Sequence, residues 1–131
     1  MSKLLESGEN YLETILILIQ KGKGVRSIDI AEEMGFSKPS ISRAVGILKA
    51  DGYIEVDSGG FISLTDSGYE IAEKIYERHR VLTRFLIKLG VNEVTAAEDA
   101  CRIEHDISDE SFQKLKEHVY EMTHKKTETK D

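Results

Sequence analysis

The run Cys101-Arg102-Ile103-Glu104-His105 holds three side chains that can bind a cation. On a helix, positions i, i+3 and i+4 share a face, so Cys101, Glu104 and His105 would offer thiolate, carboxylate and imidazole together. That mixed donor set suits a divalent transition metal; Ca2+ and Mg2+ prefer all-oxygen shells. His79 sits between Ile75 and Leu82 on an apolar stripe and can add a second imidazole. Asn10 and Glu13, three residues apart near the N-terminus, can add oxygen donors. Each residue also has a blander role: His79 as a satisfied core histidine, Cys101 as a small buried hydrophobe, Glu104 as a solvated charge. The cluster argues more strongly than any one member. His118 and His124 join no such cluster and read as surface residues. An enzyme built on a Cys101–His105 pair or a metal-bound water is the rival chemistry. It lacks a glycine-rich phosphate loop and a second nucleophile motif, and an ion filled by protein donors leaves little room for substrate.

A second group of residues suits a polyanion. Ser37, Lys38, Ser40, Ser42 and Arg43 are short polar or cationic groups clustered where Pro39 and Ser37 mark the start of a helix. Free N–H groups at such an end, with the hydroxyls, can grip phosphates, and Arg43 is long enough to reach a guanine edge. Arg26 and Ser27 open the preceding helix and can touch the same backbone. The alternative is a solvated, well-capped surface helix. The net charge of −6 at first opposes a nucleic-acid partner. Yet residues 36–50 carry Lys38, Arg43 and Lys49 and no acid, and nearby phosphates feel local charge more than distant charge. Residues 1–64 hold 7 bases and 9 acids, and residues 65–131 hold 11 and 15.

The elements that position these groups follow from periodicity. Leu12, Ile15, Leu16 and Ile19 give an amphipathic helix over 9–20, closed by the glycines of KGKG. Ser27 is the expected N-cap of a short helix ended by Gly35, and Ser37 that of a helix over 38–51 with the stripe Ile41, Val45, Leu48. The period then shifts to two: YIEVD and FISL flank Ser58-Gly59-Gly60 as a β-hairpin. This is the order of a winged helix-turn-helix; a small helical subdomain with a decorative hairpin is the other reading. Thr65 caps a long helix with Ile71, Ile75, Leu82, Phe85, Leu86 and Leu89 inward. Thr95 to Glu98 has the capping-box pattern of a helix running to about Asp106, and Ser108 opens a last helix. The expected fold is mainly α with a small β-hairpin: a winged helix-turn-helix DNA-binding domain (1–64), a helical metal-binding and dimerisation domain (65–124) and a polar, frayed tail (125–131). No apolar run approaches the ~20 residues of a membrane span, Met1 to Leu5 lead straight into Glu6 without a signal-peptide core, and one cysteine fits a reducing cytoplasm.

Nearly the whole chain resembles the diphtheria toxin repressor family of metal-dependent transcriptional regulators, including its manganese-regulator branch. The stretches that carry the resemblance are ENYLETI at 9–15, VRSIDIAEEMGFSKPSISRAVGILKADGYI at 25–54, LTDSGYEIAEKIYERHRVLTRFLIKLGV at 64–91 and EDACRIEHDISDE at 98–110. It implies a homodimeric repressor of operator DNA with a divalent metal as corepressor. Residue by residue, Glu13, His79, Cys101, Glu104 and His105 fall on metal-binding positions of one or both branches. Asn10 stands where Met or Asp is usual. Cys101 follows the iron-responsive branch and Glu13 the manganese branch. Two ancillary ligand positions of the iron branch are Thr83 and Ala97, neither a good ligand, and the SH3-like third domain of longer members has no counterpart. Ser37, Pro39, Ser40, Ser42 and Arg43 match the family's DNA-facing helix. Thiolate softness favours Fe2+, with Mn2+ close behind. One ion joining the two domains would set the spacing of paired recognition helices, which must match major grooves ~34 Å apart. A metal-independent winged-helix regulator answering to an organic effector or a protein is the alternative.

Overall fold

The computed structural model describes residues 6–128, with side chains as far as Met122. The elements are α1 (Glu6–Gln20), α2 (Ser27–Met34), α3 (Lys38–Ala50), β1 (Ile54–Val56), β2 (Ile62–Leu64), α4 (Asp66–Lys88), α5 (Glu93–Ile103) and α6 (Asp109–Glu128). The chain divides into two compact units whose boundary falls inside α4, between Ile75 and Tyr76. Met1 to Leu5, read as lacking a signal peptide, lie outside the described residues, as do the last three residues of the expected tail. The backbone of residues 125–128 belongs to α6.

In the first unit, the buried side chains of α1 (Leu12, Ile15, Leu16), α2 (Ile30) and α3 (Ile41, Leu48) meet Ile54 and Ile62 of the hairpin. The hairpin is antiparallel in the register Ile54↔Leu64 and Val56↔Ile62. Asp57 closes its turn: one carboxylate oxygen accepts the N–H groups of Gly59 and Phe61, both at 2.9 Å. Ile62 donates to the carbonyl of Val25 at 2.7 Å, tying the hairpin to the segment before α2. Ser37 caps α3 by accepting from the Ser40 N–H, and Thr65 caps α4 by accepting from that of Gly68.

Two caps differ from the sequence expectation. Helix α2 begins at Ser27 itself, because the Asp29 carboxylate takes the Arg26 N–H at 2.8 Å and makes Arg26 the capping position. Helix α5 starts at Glu93 rather than after Thr95, because Asn92 Oδ1 accepts from Val94 and Thr95. At its far end α5 stops at Ile103, short of the expected Asp106. Leu89, expected inward, is 64% exposed, since α4 has ended one residue earlier. In the second unit Leu82, Ala96, Ala100, Phe112 and Val119 are buried, and Arg78 and Glu104 are buried with them.

Candidate metal centre and nucleic-acid interface

Glu104 is 0% exposed. It follows the last residue of α5, with helical backbone angles and its N–H bonded to the Ala100 carbonyl at 2.9 Å, so the helix end aims its side chain inward. One turn below Leu82 on α4, His79 Nδ1 lies 3.0 Å from Glu104 Oε2, a hydrogen bond in which the ring N–H donates. The other oxygen, Oε1, has His105 Nε2 at 3.5 Å and accepts no hydrogen bond. The His105 side chain is 2% exposed and that of His79 28%. A carboxylate is thus enclosed between two imidazoles with one acceptor unsatisfied. Burial of such a charge costs several kcal/mol unless it is paired. The donor set fits a divalent cation: carboxylate oxygen and neutral imidazole nitrogen are both ligand types for one, and a cation would satisfy Oε1.

The other expected donors sit on α1 and α5. Cys101, Glu104 and His105, expected on one face of a helix running to about Asp106, are only partly so arranged: α5 ends at Ile103, Glu104 continues its backbone angles but is buried where Cys101 is exposed, and His105 lies in the turn beyond. Cys101 remains on α5 and is exposed, without a disulfide. Glu13 is buried on α1, 8% exposed among Leu12, Ile15 and Leu16, and Asn10 is half-buried one turn earlier. His118, read as a surface residue, is exposed, its ring edge-on to Phe85 with centroids 6.5 Å apart.

The sequence reading passed over Arg78. It is 5% exposed, and its guanidinium donates to the carbonyls of Glu104 (3.1 Å) and Ile107 (2.7 Å) and to the Asp109 carboxylate. These contacts hold the turn that carries Glu104 and His105 between α5 and α6. The guanidinium also lies 5.4 Å from the Phe112 ring centroid. An arginine directly before His79, in Glu77-Arg78-His79-Arg80, is visible, but nothing in its spacing distinguishes it from a solvated neighbour.

Helix α3 turns Ile41 and Leu48 inward and leaves Ser37, Lys38, Pro39, Ser40, Ser42 and Arg43 exposed. Its first turn has no acid. Arg26 is exposed and Ser27 half-buried at the start of α2. Cationic and hydroxyl groups at the capped N-terminus of α3 make a surface able to bind duplex phosphates.

Comparison with known proteins agrees with both halves. Residues 3–59 match the N-terminal DNA-binding domain of the iron-dependent repressors, and residues 65–130 match their metal-binding and dimerisation domain. An uncharacterised HTH-type transcriptional regulator of Methanocaldococcus jannaschii is 33% identical over 113 residues, covering 85% of this chain and 90% of the relative. The transcriptional regulator MntR of Escherichia coli O157:H7 is 33% identical over 104 residues, 79% of this chain and 67% of that protein. The diphtheria toxin repressor of Corynebacterium diphtheriae is 34% identical over 118 residues, 88% of this chain but only 51% of its own length. These curated relatives are regulators of transcription or repressors and not enzymes. The solved structure of the manganese regulator SloR superposes with a TM-score of 0.78 at 28% identity, covering 86% of this chain and 53% of that one, so this chain spans about half its length. The winged helix-turn-helix, the helical unit that follows it and the two matched domains lead to one assignment: the chain belongs to the iron-dependent repressor family of metal-dependent transcriptional regulators.

Proposed function

We propose that this chain is a metal-dependent DNA-binding regulator, a repressor that acts in the cytoplasm as a homodimer, with Fe2+ or Mn2+ enabling operator binding. The observation that carries this reading is Glu104: a fully buried carboxylate between two imidazoles, with one oxygen accepting no hydrogen bond. His79, Glu104 and His105 would hold the ion. The resemblance adds Glu13, Cys101 and Asn10 as further donors. When bound, the ion supplies Coulombic cross-linking of side chains that are remote in sequence. The Cys101 thiolate favours Fe2+ and the Glu13 carboxylate favours Mn2+; Fe2+ is the first choice and Mn2+ the second. On the DNA side, Ser37, Lys38, Pro39, Ser40, Ser42 and Arg43 present the reading helix, with Arg26 and Ser27 on the flanking phosphate backbone.

The test is metal titration of wild type and Glu104→Gln with Mn2+ and, anaerobically, Fe2+, followed by anisotropy on duplexes selected in vitro by the metal-loaded protein. Glu104→Gln is expected to lose roughly 100-fold or more in metal affinity and all metal-dependent DNA binding, while sedimenting as the wild type does. An unchanged metal response in the variant refutes the reading. A regulator that answers to an organic effector gives no heat with either metal.

A further inference from the structure

An aromatic side chain crowns the turn of the hairpin. Phe61, at the tip, is 41% exposed, an uneconomical position for an aromatic ring unless it has a partner. Two partners are present. The Arg26 guanidinium carbon lies 4.3 Å from the Phe61 ring centroid. The ring also rests against the backbone at Gly24, where an added Cβ would stand 2.6 Å from Cε1 and 2.7 Å from Cδ1. Gly24 is therefore the residue that admits the ring. The backbone that carries both side chains is tied down. The Phe61 N–H is held by the Asp57 carboxylate, the next N–H (Ile62) by the Val25 carbonyl, and the Arg26 N–H by Asp29. Exposed Lys21 and Lys23 precede this cluster, and no acid occurs between Glu13 and Asp29.

We propose that Phe61 is a positioning residue for DNA binding: its ring, seated on Gly24, presets the Arg26 guanidinium as a phosphate clamp beside the wing. A guanidinium stacked through its face keeps its in-plane N–H donors outward, the geometry in which it takes two phosphate oxygens. Holding a long side chain in that pose before DNA arrives removes ordering cost from the binding step. The clamp rests on the reading of this unit as a DNA-binding face. It adds a second basic element, separate from α3, supplied by the wing without any cation of the wing's own.

Because a phosphate grip is independent of sequence, the probe is a random-sequence duplex of about thirty base pairs. It is titrated in the presence of saturating Mn2+ across a range of salt concentrations. Phe61→Leu keeps apolar cover but removes the aromatic face. It should weaken binding by roughly three- to ten-fold and shallow the salt slope by about 0.9, as Arg26→Gln should. The double variant should be no weaker than Arg26→Gln alone, Phe61→Tyr should restore both affinity and slope, and Gly24→Ala should reproduce Phe61→Leu. Thermal midpoints of all variants show whether each is folded. A Phe61→Leu loss that leaves the slope unchanged, or that adds to Arg26→Gln, overturns the clamp. If Arg43→Ala weakens binding while Phe61→Leu does not, the clamp fails and the DNA face stands. Absence of duplex binding by the wild type overturns both.

Discussion

At the residue scale, the second unit buries a cation and an anion that are not each other's partners. Glu104 faces two imidazoles, while Arg78 holds main-chain carbonyls and the Asp109 carboxylate. The two contact types differ in weight. The Asp109 side chain is 78% exposed, so its pairing with Arg78 is largely solvent-screened. The carbonyls of Glu104 and Ile107 lose their arginine donor if Arg78 is removed; the buried one at Glu104 costs about 1–3 kcal/mol when orphaned, and the part-buried one at Ile107 less. Arg78→Met, which keeps the stem, should therefore cost about 2–4 kcal/mol in urea unfolding of the metal-free protein, whereas Asp109→Asn should cost less than about 1 kcal/mol. Equal costs for the two variants would contradict this apportioning.

At the element scale, two helical glycines have opposite constraints. Gly68 lies in the first turn of α4, where a Cβ would stand 2.0 Å from the Tyr53 carbonyl oxygen. That oxygen also accepts the Thr65 N–H at 3.1 Å, so the residue before β1 is pressed against the start of α4. Gly46, inside α3, has nothing within 4 Å of an added Cβ. Helix propensity favours alanine at both sites by about 1 kcal/mol. At Gly46 that preference is unopposed, and Gly46→Ala should stabilise by about 0.5–1 kcal/mol. At Gly68 the colliding atom belongs to the backbone, overpacking costs about 1–3 kcal/mol or more, and Gly68→Ala should destabilise. Urea midpoints measured at fixed m-value decide the signs.

At the scale of the whole molecule, net charge says little about the partner, because Lys38, Arg43 and Arg26 are gathered on exposed helix starts while the chain totals −6. Among the described residues no helix is long and apolar enough to cross a membrane. The ligand expected to shape the folded state is the metal. An ion held only by the folded protein stabilises it by about 2.7 kcal/mol at a hundred times its dissociation constant. For a chain of this size that raises the thermal midpoint by roughly 8–10 °C. Mn2+ should produce that rise in the wild type, chelation should reverse it, and Glu104→Gln should show neither. A rise retained in the variant would place the ion elsewhere.

Much of this was legible in the residues alone. Period and caps foretold α1, α3, α4, α6 and the hairpin, since Ser37, Thr65 and Ser108 satisfy N–H groups only a few residues away. The polar start of α3 and the donor types His79, Glu104 and His105 were equally plain. Local competition misled the rest: Asn92 outbid Thr95 as a cap, and an early end to α5 separated exposed Cys101 from buried Glu104. Three facts needed the tertiary structure: the enclosed Glu104 carboxylate with an unsatisfied oxygen, the buried Arg78 holding its turn, and the Phe61 ring on Gly24 beneath Arg26. Each joins groups many residues apart, and their burial and contact come from the packing of whole elements, which no spacing along the chain encodes.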